Sequence, residues 1–390
     1  MNDKSLPLTQ LHGRDRYLQQ KSRAFAERAL RPRAAEMDRE ARLAPDLLEE
    51  LFQEGLMGIE IPEDLGGGGG TFFQSILAIE ELARVDPGVA VCVDVQNTLV
   101  ISALLRWGTP DQRRRFLPAM AKHLVGAYAI SEQEAGSDAF SLTTRAEPGP
   151  DGYVLQGSKH WITNAAEAGL FLLFANAAPE TGAHGVTAFL VERGSAGFTV
   201  GERVEKMGIR ASSTCGLGLD GVFVPHESVL GKLGDGRRIA IETLNGGRLG
   251  IAAQLVGLAQ GALEAAIAYS KTRRQFGQPI SSFQGVYLQL AEMATEVEAA
   301  RTLLYNSTRL LQAVASPAEQ FRLAAMSKYF ASQVAEKVAS MAVEVFGGRG
   351  YIKDCPVEKL YRDAKIGKIY EGTSNMLLRT IATTLVGSVQ

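Results

Sequence analysis

The stretch EVFGGRGYIKDCPVEKLYRDAKIGKIYEGTSN, Glu344–Asn375, decides how this chain reads. It opens on Glu344 and Val345, passes the pair Gly347–Gly348, and ends around a single acid, Glu371, set between Tyr370 and Gly372. Paired glycines permit a close backbone approach that a Cβ would block. Helix-like segments flank the acid, Val357–Lys368 before it and Asn375–Leu385 after it. On these residues Glu371 has three readings: a solvated loop charge, a helix cap or a catalytic base. The glycines are not a dinucleotide fingerprint, because no G-x-G-x-x-G follows a strand in a βαβ context.

Working outward, the chain from about 236 to 390 is helical. Leu290, Met293, Val297, Ala300, Leu304 and Leu311 trace one apolar stripe, and Leu323, Met326, Phe330, Val334, Val338, Met341 and Val345 trace another. Both keep the 3.6-residue period of bundle helices that face a core. From about 124 to 235 the texture changes to short β-like runs between turns: GYVLQG, LFLLFAN, GVTAFLVER, GFTV and LDGVFVP. They predict a mostly antiparallel β-domain. Residues 1 to 123 are helical again, with PDLLEELFQEGLMG and FQSILAIEELARV in helical period. Between those two lies PEDLGGGGGTFF. No Gly-Lys-Ser/Thr follows its five glycines, so it reads as a flexible loop rather than a phosphate loop. The expected class is α+β, mainly α, with three domains.

Composition narrows the function classes. The chain has 390 residues, 46% hydrophobic and 22% charged, with a net charge of −2. No basic stripe stands out, which argues against nucleic acid. Cys92, Cys215 and Cys355 are scattered, without a CxxC, so neither disulfide framework nor zinc site is expected. The five histidines do not cluster, and no metal site is expected. The N-terminus lacks the basic start and apolar core of a secretory leader, and no apolar run is read as membrane-spanning. A soluble protein of a reducing compartment is expected, bacterial cytoplasm or, for a eukaryotic chain, the mitochondrial matrix.

Three further segments carry chemistry. In AYAISEQEAGSD, Ala127–Asp138, an apolar strand enters a turn whose amides and hydroxyls could hold a ring edge or a phosphate. In GSKHWITN, Gly157–Asn164, Trp161 could pack on a flat heterocycle while Thr163 bonds its edge; a core tryptophan is the competing reading. In SKTRRQFGQPISSFQ, Ser270–Gln284, Arg273 could pair with a diphosphate, against an ordinary solvated helix end.

In this order the segments resemble the acyl-CoA dehydrogenase family. GLMGIEIPEDLGG, EAGSD, WITN, RRQFG, FGGRGY and PVEKLYRDAKIGKIYEGTSN match its pattern in sequence and spacing over nearly the whole chain. VDVQNTLV, RASSTC and NGGRLGIAAQLVGLAQG are most similar to its short/branched-chain members, which oxidise 2-methylacyl-CoA thioesters. The resemblance implies a helical N-terminal domain, a β-domain and a C-terminal four-helix bundle, assembled as a homotetramer. It implies non-covalent FAD, an acyl-CoA substrate and electron-transfer flavoprotein as acceptor.

The implied reaction is α,β-dehydrogenation, with Glu371 as the base. Some relatives carry the base on a bundle helix just before an arginine, a place held here by Gly247. By resemblance Tyr128, Ile130, Ser131, Gly136 and Ser137 lie along the flavin, and Trp161, Ile162 and Thr163 cover its ring. Arg273, Phe276, Gln284, Glu344, Val345, Gly347 and Gly348 bind the diphosphate and adenine side from a neighbouring subunit. Thr373 and Asn375 touch phosphate and ribose. Ser137, Arg237, Asn245, Gly246, Gly247, Arg248, Tyr370 and Gly372 line the CoA and acyl channel. Gln133, Glu344, His184 and Arg237 depart from the broad family pattern, and Glu344 does so in the direction of the branched-chain members. A dehydrogenase of straight short-chain acyl-CoA, an oxygen-reducing oxidase of the same fold, and a non-catalytic or nucleic-acid-associated relative are the alternative readings.

Overall fold

The computed structural model describes residues 8–313 and 316–387. The extreme N-terminus read above for a leader therefore lies partly outside the described residues. Helices α1 (Gly13–Phe25), α2 (Ala34–Glu40), α3 (Leu47–Gln53), α4 (Phe72–Ala83), α5 (Pro87–Asp94), α6 (Ser102–Trp107) and α7 (Pro110–Met120) come first. Local chemistry starts several of them. Thr71 with Gln74, and Thr109 with Gln112, form reciprocal capping boxes for α4 and α7. Asp86 caps α5 by accepting from the Gly88 and Val89 amides, with Pro87 at the first helical position. Between α5 and α6 the chain widens into a buried π-helical turn, Val95–Ile101; such turns recur at functional segments.

The glycine run is a loop, but it is tied down. The Gly67, Gly68, Gly69 and Gly70 amides donate back to Pro62, Gly58, Ile61 and Ile59 carbonyls. A Cβ at Gly67 would lie 2.3 Å from Ile61, so glycine is required there by space.

The middle of the chain forms β1 (Gly126–Ala129), β2 (Arg145–Pro148), β3 (Gly152–Thr163), β4 (Leu170–Asn176), β5 (Val186–Glu192), β6 (Phe198–Arg203), β7 (Thr214–Pro225) and β8 (Val229–Leu230). The sheet order is β6-β7-β3-β2-β4-β5-β8, with β1 added beside β4. β1 and β2 run parallel to β4, so the sheet is mixed while most pairs are antiparallel. LFLLFAN becomes β4, buried along its whole length, which is why it reads as a continuous apolar run.

The C-terminal part holds α8 (Gly236–Thr272), the short hairpin β9 (Arg274–Gln275) and β10 (Gln278–Pro279), then α9 (Gln284–Ala313), α10 (Pro317–Phe346), α11 (Pro356–Ala364) and α12 (Ser374–Val386). Helices α8, α9, α10 and α12 pack as a bundle, and α8 also meets α4, α5 and α11. Gly257 and Gly261 bring α8 against the α4 end, where a Cβ would lie about 2 Å from the Glu80 and Arg84 carbonyls. The stripe on α9 is buried at Met293, Val297, Ala300 and Leu304. On α10 the seam is made by smaller residues than expected: Ala324, Ala331, Ala335, Ala339 and Ala342 are buried beside Val334 and Val338.

One expectation needs correction. Pro87–Trp107 and Gly236–Thr272 are long and apolar enough to cross a membrane by length and composition. Their apolar windows are 89% and 67% buried within the protein, as in central helices packed on every side.

Helix α11 ties the three parts together with buried charge. Arg362 clamps Asp38 of α2 through both carboxylate oxygens, at 3.1 and 2.6 Å, and donates to the Met207 carbonyl beyond β6. Lys359 lies 2.6 Å from Asp363 and 3.3 Å from the Asp86 cap of α5. Asp363 accepts from the Ile209 amide.

Candidate active site

Glu371 sits in the bend between α11 and α12 at φ 53°. A left-handed backbone is costly for a residue with a side chain, about 1–3 kcal/mol, and such positions collect at active sites. Six non-glycine residues have positive φ among those described. Four of them, Trp161, Asn164, Phe276 and Glu371, fall inside the motifs that the sequence singles out.

The carboxylate of Glu371 faces α8. A Cβ placed on Gly247 would lie 3.0 Å from Glu371 Oε2 and 2.7 Å from Leu99 of the π-helical turn. The absent side chain at 247 therefore vacates the space beside the acid. Oε2 itself is buried and has no hydrogen-bond partner. Burial pushes the Glu371 carboxyl up to about 7, against the opposing pull of Arg248 and Lys328. Arg248 follows Gly247 on α8 and bonds Asn245 at 3.3 Å, with its Nε unpartnered. Gly246 packs toward the Thr98 carbonyl and Phe72. Tyr370 anchors the bend through its hydroxyl, which donates to Gln254 of α8. Gly372 continues it at φ 98°, and Thr373 caps α12 through the Met376 amide. Asn375 is exposed in the first turn of α12.

Tyr128, the third residue of β1, reaches α8, its hydroxyl 3.1 Å from that of Thr243. Next to it the two β-domain motifs are stapled by an ion pair that sequence reasoning missed. Lys159 Nζ lies 2.7 Å from Glu132 and 3.1 Å from the Ile130 carbonyl, and Glu132 also accepts from Thr143 and Thr144. The pair holds Glu132 down at about 2, its charge neighbour and hydrogen bonds outweighing burial. The His160 amide bonds the Ser131 carbonyl. One extra residue in β3 between Lys159 and Ile162 makes a bulge against β7. Trp161 occupies it at φ 63° and is 61% exposed, so it is not a core tryptophan. The Ile130 and Ile162 side chains are in the core, which leaves only their backbones for a ligand. Thr163 is half-buried, and Ser131, Gly136 and Ser137 lie on the accessible side of the turn. Arg237, in the first turn of α8, stacks over Phe140, 5.6 Å from its centroid. His184 is exposed near a cleft of about 480 Å³ lined by Asp138, Phe140, Arg145, Asn176 and Pro179.

The remaining predicted residues are not brought to Glu371. Arg273, Phe276, Gln284, Glu344, Val345, Gly347 and Gly348 gather at the other end of the bundle. Gln289 bonds Glu344 at 3.1 Å, and Tyr269 stacks on Phe346 at 4.1 Å. Arg273 is exposed, and Phe276 is 93% exposed at φ 50°. Gly347 and Gly348 face open space, while the Val345 side chain is buried. Gly247 and Arg273 are both set by α8, and 26 helical residues at 1.5 Å each separate them by roughly 39 Å.

Sequence reasoning also missed two groups beside the acid. Asp94 is buried at the end of α5 with Oδ2 unpartnered, and a Cβ on Gly250 would overlap its Oδ1. Lys328 is fully enclosed on α10 and bonds the Gly372 carbonyl at 2.7 Å. Their only signal is a charge inside an apolar helix. The residues present fit a flat heterocycle joined to a charged tail. They offer an indole displayed on a bulge, an unpartnered buried carboxylate oxygen, the unpartnered Ser374 hydroxyl and open glycine backbone.

The chain is similar to known proteins along most of its length. Models of the acyl-CoA dehydrogenase N-terminal, middle and C-terminal domains match residues 14–123, 127–222 and 234–386. The short/branched chain specific acyl-CoA dehydrogenase of Rattus norvegicus mitochondria is 48% identical over 376 residues, 96% of this chain and 86% of that protein. The structure of butyryl-CoA dehydrogenase from Megasphaera elsdenii superposes with a TM-score of 0.93 at 38% identity, covering 97% of this chain and 99% of that one. A chain solved in work on the electron transferring flavoprotein of Acidaminococcus fermentans gives 0.94 at 39% identity, covering 97% and 100%. Matched along almost its entire length in both sequence and fold, this chain belongs to the acyl-CoA dehydrogenase family, FAD-dependent oxidoreductases.

Proposed function

We propose that the enzyme removes the α-proton of a short or 2-methyl-branched acyl-CoA with Glu371, giving the 2-enoyl-CoA. The observation that carries the reading is the buried, unpartnered Oε2 of Glu371 beside Gly247, on a carboxyl pushed up to about 7. A general base works best with a proton affinity near the operating pH, and burial strengthens it once ionised. Gly372 leaves room for the thioester, and the Glu371 amide is a donor available to its carbonyl, which would acidify the α-carbon. The half-buried Glu371 lies among the buried Leu99 and Tyr128 and the half-buried Tyr370, so bound substrate and cofactor would exclude water from the transferred proton.

FAD, when bound, supplies the two-electron acceptor that takes the β-hydrogen as hydride. Trp161, Thr163, Ser131, Gly136 and Ser137, with the Ile130, Ile162 and Tyr128 backbones, would hold its ring. Thr373 and Asn375 would hold ribose and phosphate. Arg273, Phe276, Gln284, Glu344, Val345, Gly347 and Gly348 lie too far along α8 to serve the same site, so they would complete the site of a second copy in a homotetramer. Ser137, Arg237 and Asn245–Arg248 would guide CoA and the acyl chain. The branched-chain preference is supported by the rat relative's likeness and by RASSTC and NGGRLGIAAQLVGLAQG. Electron-transfer flavoprotein is the proposed acceptor, in the bacterial cytoplasm or the mitochondrial matrix.

The test is anaerobic titration of the flavin-loaded protein with butanoyl, hexanoyl, isobutanoyl, 2-methylbutanoyl and 3-methylbutanoyl thioesters, following loss of the visible flavin band. Rapid bleaching by 2-methyl-branched thioesters, lowered by roughly 10⁴-fold in Glu371→Gln, is the expected result. Preference for straight chains would remove the branched-chain assignment. Full bleaching by Glu371→Gln would remove the base.

A further inference from the structure

Among the described residues three lysines are almost wholly enclosed, and two of them are neutralised. Lys159 has Glu132 at 2.7 Å, and Lys359 has Asp363 at 2.6 Å. Lys328, also fully enclosed, makes no ion pair within 4 Å among the described residues. Its acceptor is a neutral carbonyl, that of Gly372, at 2.7 Å. A buried ammonium without a counter-ion is costly, so its place needs a reason.

The reason lies in what that carbonyl belongs to. Glu371 and Gly372 stand at φ 53° and 98°. The loop is fixed before them by the Tyr370–Gln254 bond and after them by the Thr373 cap of α12. Between these anchors, the Lys328 bond is the single side-chain hydrogen bond to the backbone of Glu371–Thr373 among the described residues. We infer that Lys328 is a positioning residue for Glu371: its hydrogen bond to the Gly372 carbonyl holds the left-handed turn that aims the carboxylate, and its charge favours the ionised base. The inference rests on Glu371 being the base.

The electrostatic surroundings give Lys328 a separable effect. Arg248 faces Glu371 from α8, Asp94 from the end of α5, Tyr128 from β1 and Tyr370 from the bend itself. Burial raises Asp94 well above the ordinary carboxylate range and raises both phenols, so neither phenol carries charge near neutrality. Arg248 keeps its charge, because a guanidinium is not deprotonated in proteins. Lys328 is pushed down to about 7 by burial, with Glu371 pulling the other way. Among the described residues it is therefore the one cation beside the base that titrates where the base does, and the two protons are coupled.

The experiment compares Lys328→Met, Lys328→Arg and Glu371→Gln with the wild type. Flavin content and thermal midpoint establish folding. The readouts are kcat, KM and the acidic limb of the kcat/KM profile with a 2-methylbutanoyl or butanoyl thioester. Lys328→Met should lower kcat by about a hundredfold through misplacement of the carboxylate, with a far smaller change in KM. Its acidic limb should move up by about one pH unit, because the ionised base has lost a nearby cation. Lys328→Arg, permanently charged, should carry the limb below that of the wild type. A folded, flavin-loaded Lys328→Met with the wild-type limb overturns the inference. If that variant loses flavin, Lys328→Arg decides alone, and a limb at the wild-type pH overturns it. Activity that survives in Glu371→Gln instead removes the base assignment, so the two failures are told apart.

Discussion

The α11 junction and the Glu371 pocket both bury charge, and they treat it in opposite ways. At the junction the enclosed ions of the described residues each lie within 4 Å of a partner of opposite sign, including Asp86 Oδ2, which makes no hydrogen bond but stands 3.3 Å from Lys359. Lys359 meets Asp363 and Asp86, and Arg362 meets Asp38 and Glu358. In the pocket, Glu371 Oε2, Asp94 Oδ2 and Arg248 Nε have no hydrogen-bond partner, and Lys328 leans on a carbonyl. A buried ion that is paired stabilises a particular arrangement of elements. A buried ion left unpaired is destabilising by itself and has its proton affinity moved toward neutrality. The two regions lie in one continuous motif, eight residues apart from Asp363 to Glu371, so the same stretch of chain supplies both the scaffold and the chemistry.

The contrast can be broken most strongly at the junction. Lys359→Met strands Asp86 and Asp363 without their cation and should cost about 3–5 kcal/mol, read as a lowered denaturation midpoint. The protein that remains folded should keep its rate per bound flavin. Next in size is Gly247→Ala. The new methyl would stand 3.0 Å from Glu371 Oε2 and 2.7 Å from Leu99, so the carboxylate must move. A loss of about a hundredfold in kcat is expected from displacement of the base, with the thermal midpoint much less affected.

A smaller effect sharpens the comparison through pH. The folded Glu371 carboxyl holds its proton up to about 7, against 4.5 in the unfolded chain. Its stabilising contribution is full below pH 4.5 and is lost as pH rises through 7, because the folded state binds more protons in that window. Glu371→Gln should therefore flatten the fall of the melting temperature between pH 4.5 and 7 relative to the wild type. The smallest effect on the fold is expected for Trp161→Gly. It relieves a left-handed backbone and removes an exposed indole, so the flavin-free melting temperature should stay level or rise while flavin affinity falls.

Much of this was legible along the chain. The β-like runs map onto β3 to β7 because a two-residue period and enclosed apolar runs are local properties. The α9 stripe was legible for the same reason, whereas the α10 seam was misjudged. Its packing is set by how close α8 comes, and a close helix favours alanine over the larger residues that hydropathy points to. Trp161 was open between a displayed ring and a core tryptophan; it is exposed, and the bulge that displays it depends on register with β7. Lys159, Asp94 and Lys328 were not legible as site neighbours. A lone charge in an apolar segment carries no label of its partner, which lies 27 residues away for Lys159 and 44 for Lys328.

By itself the sequence determined the order of helical, β and helical parts, the family likeness and the identity of the acid in YEGT. Those rest on local periodicity and on residues contiguous in the chain. Only the tertiary structure decided that Gly247 vacates the space beside Glu371 and that the Arg273–Gly348 group stands roughly 39 Å along α8 from it. It also decided which buried charges are paired. Distance between side chains remote in sequence, and the exclusion of water around them, are properties of packing, and packing sets the proton affinity on which the chemistry depends.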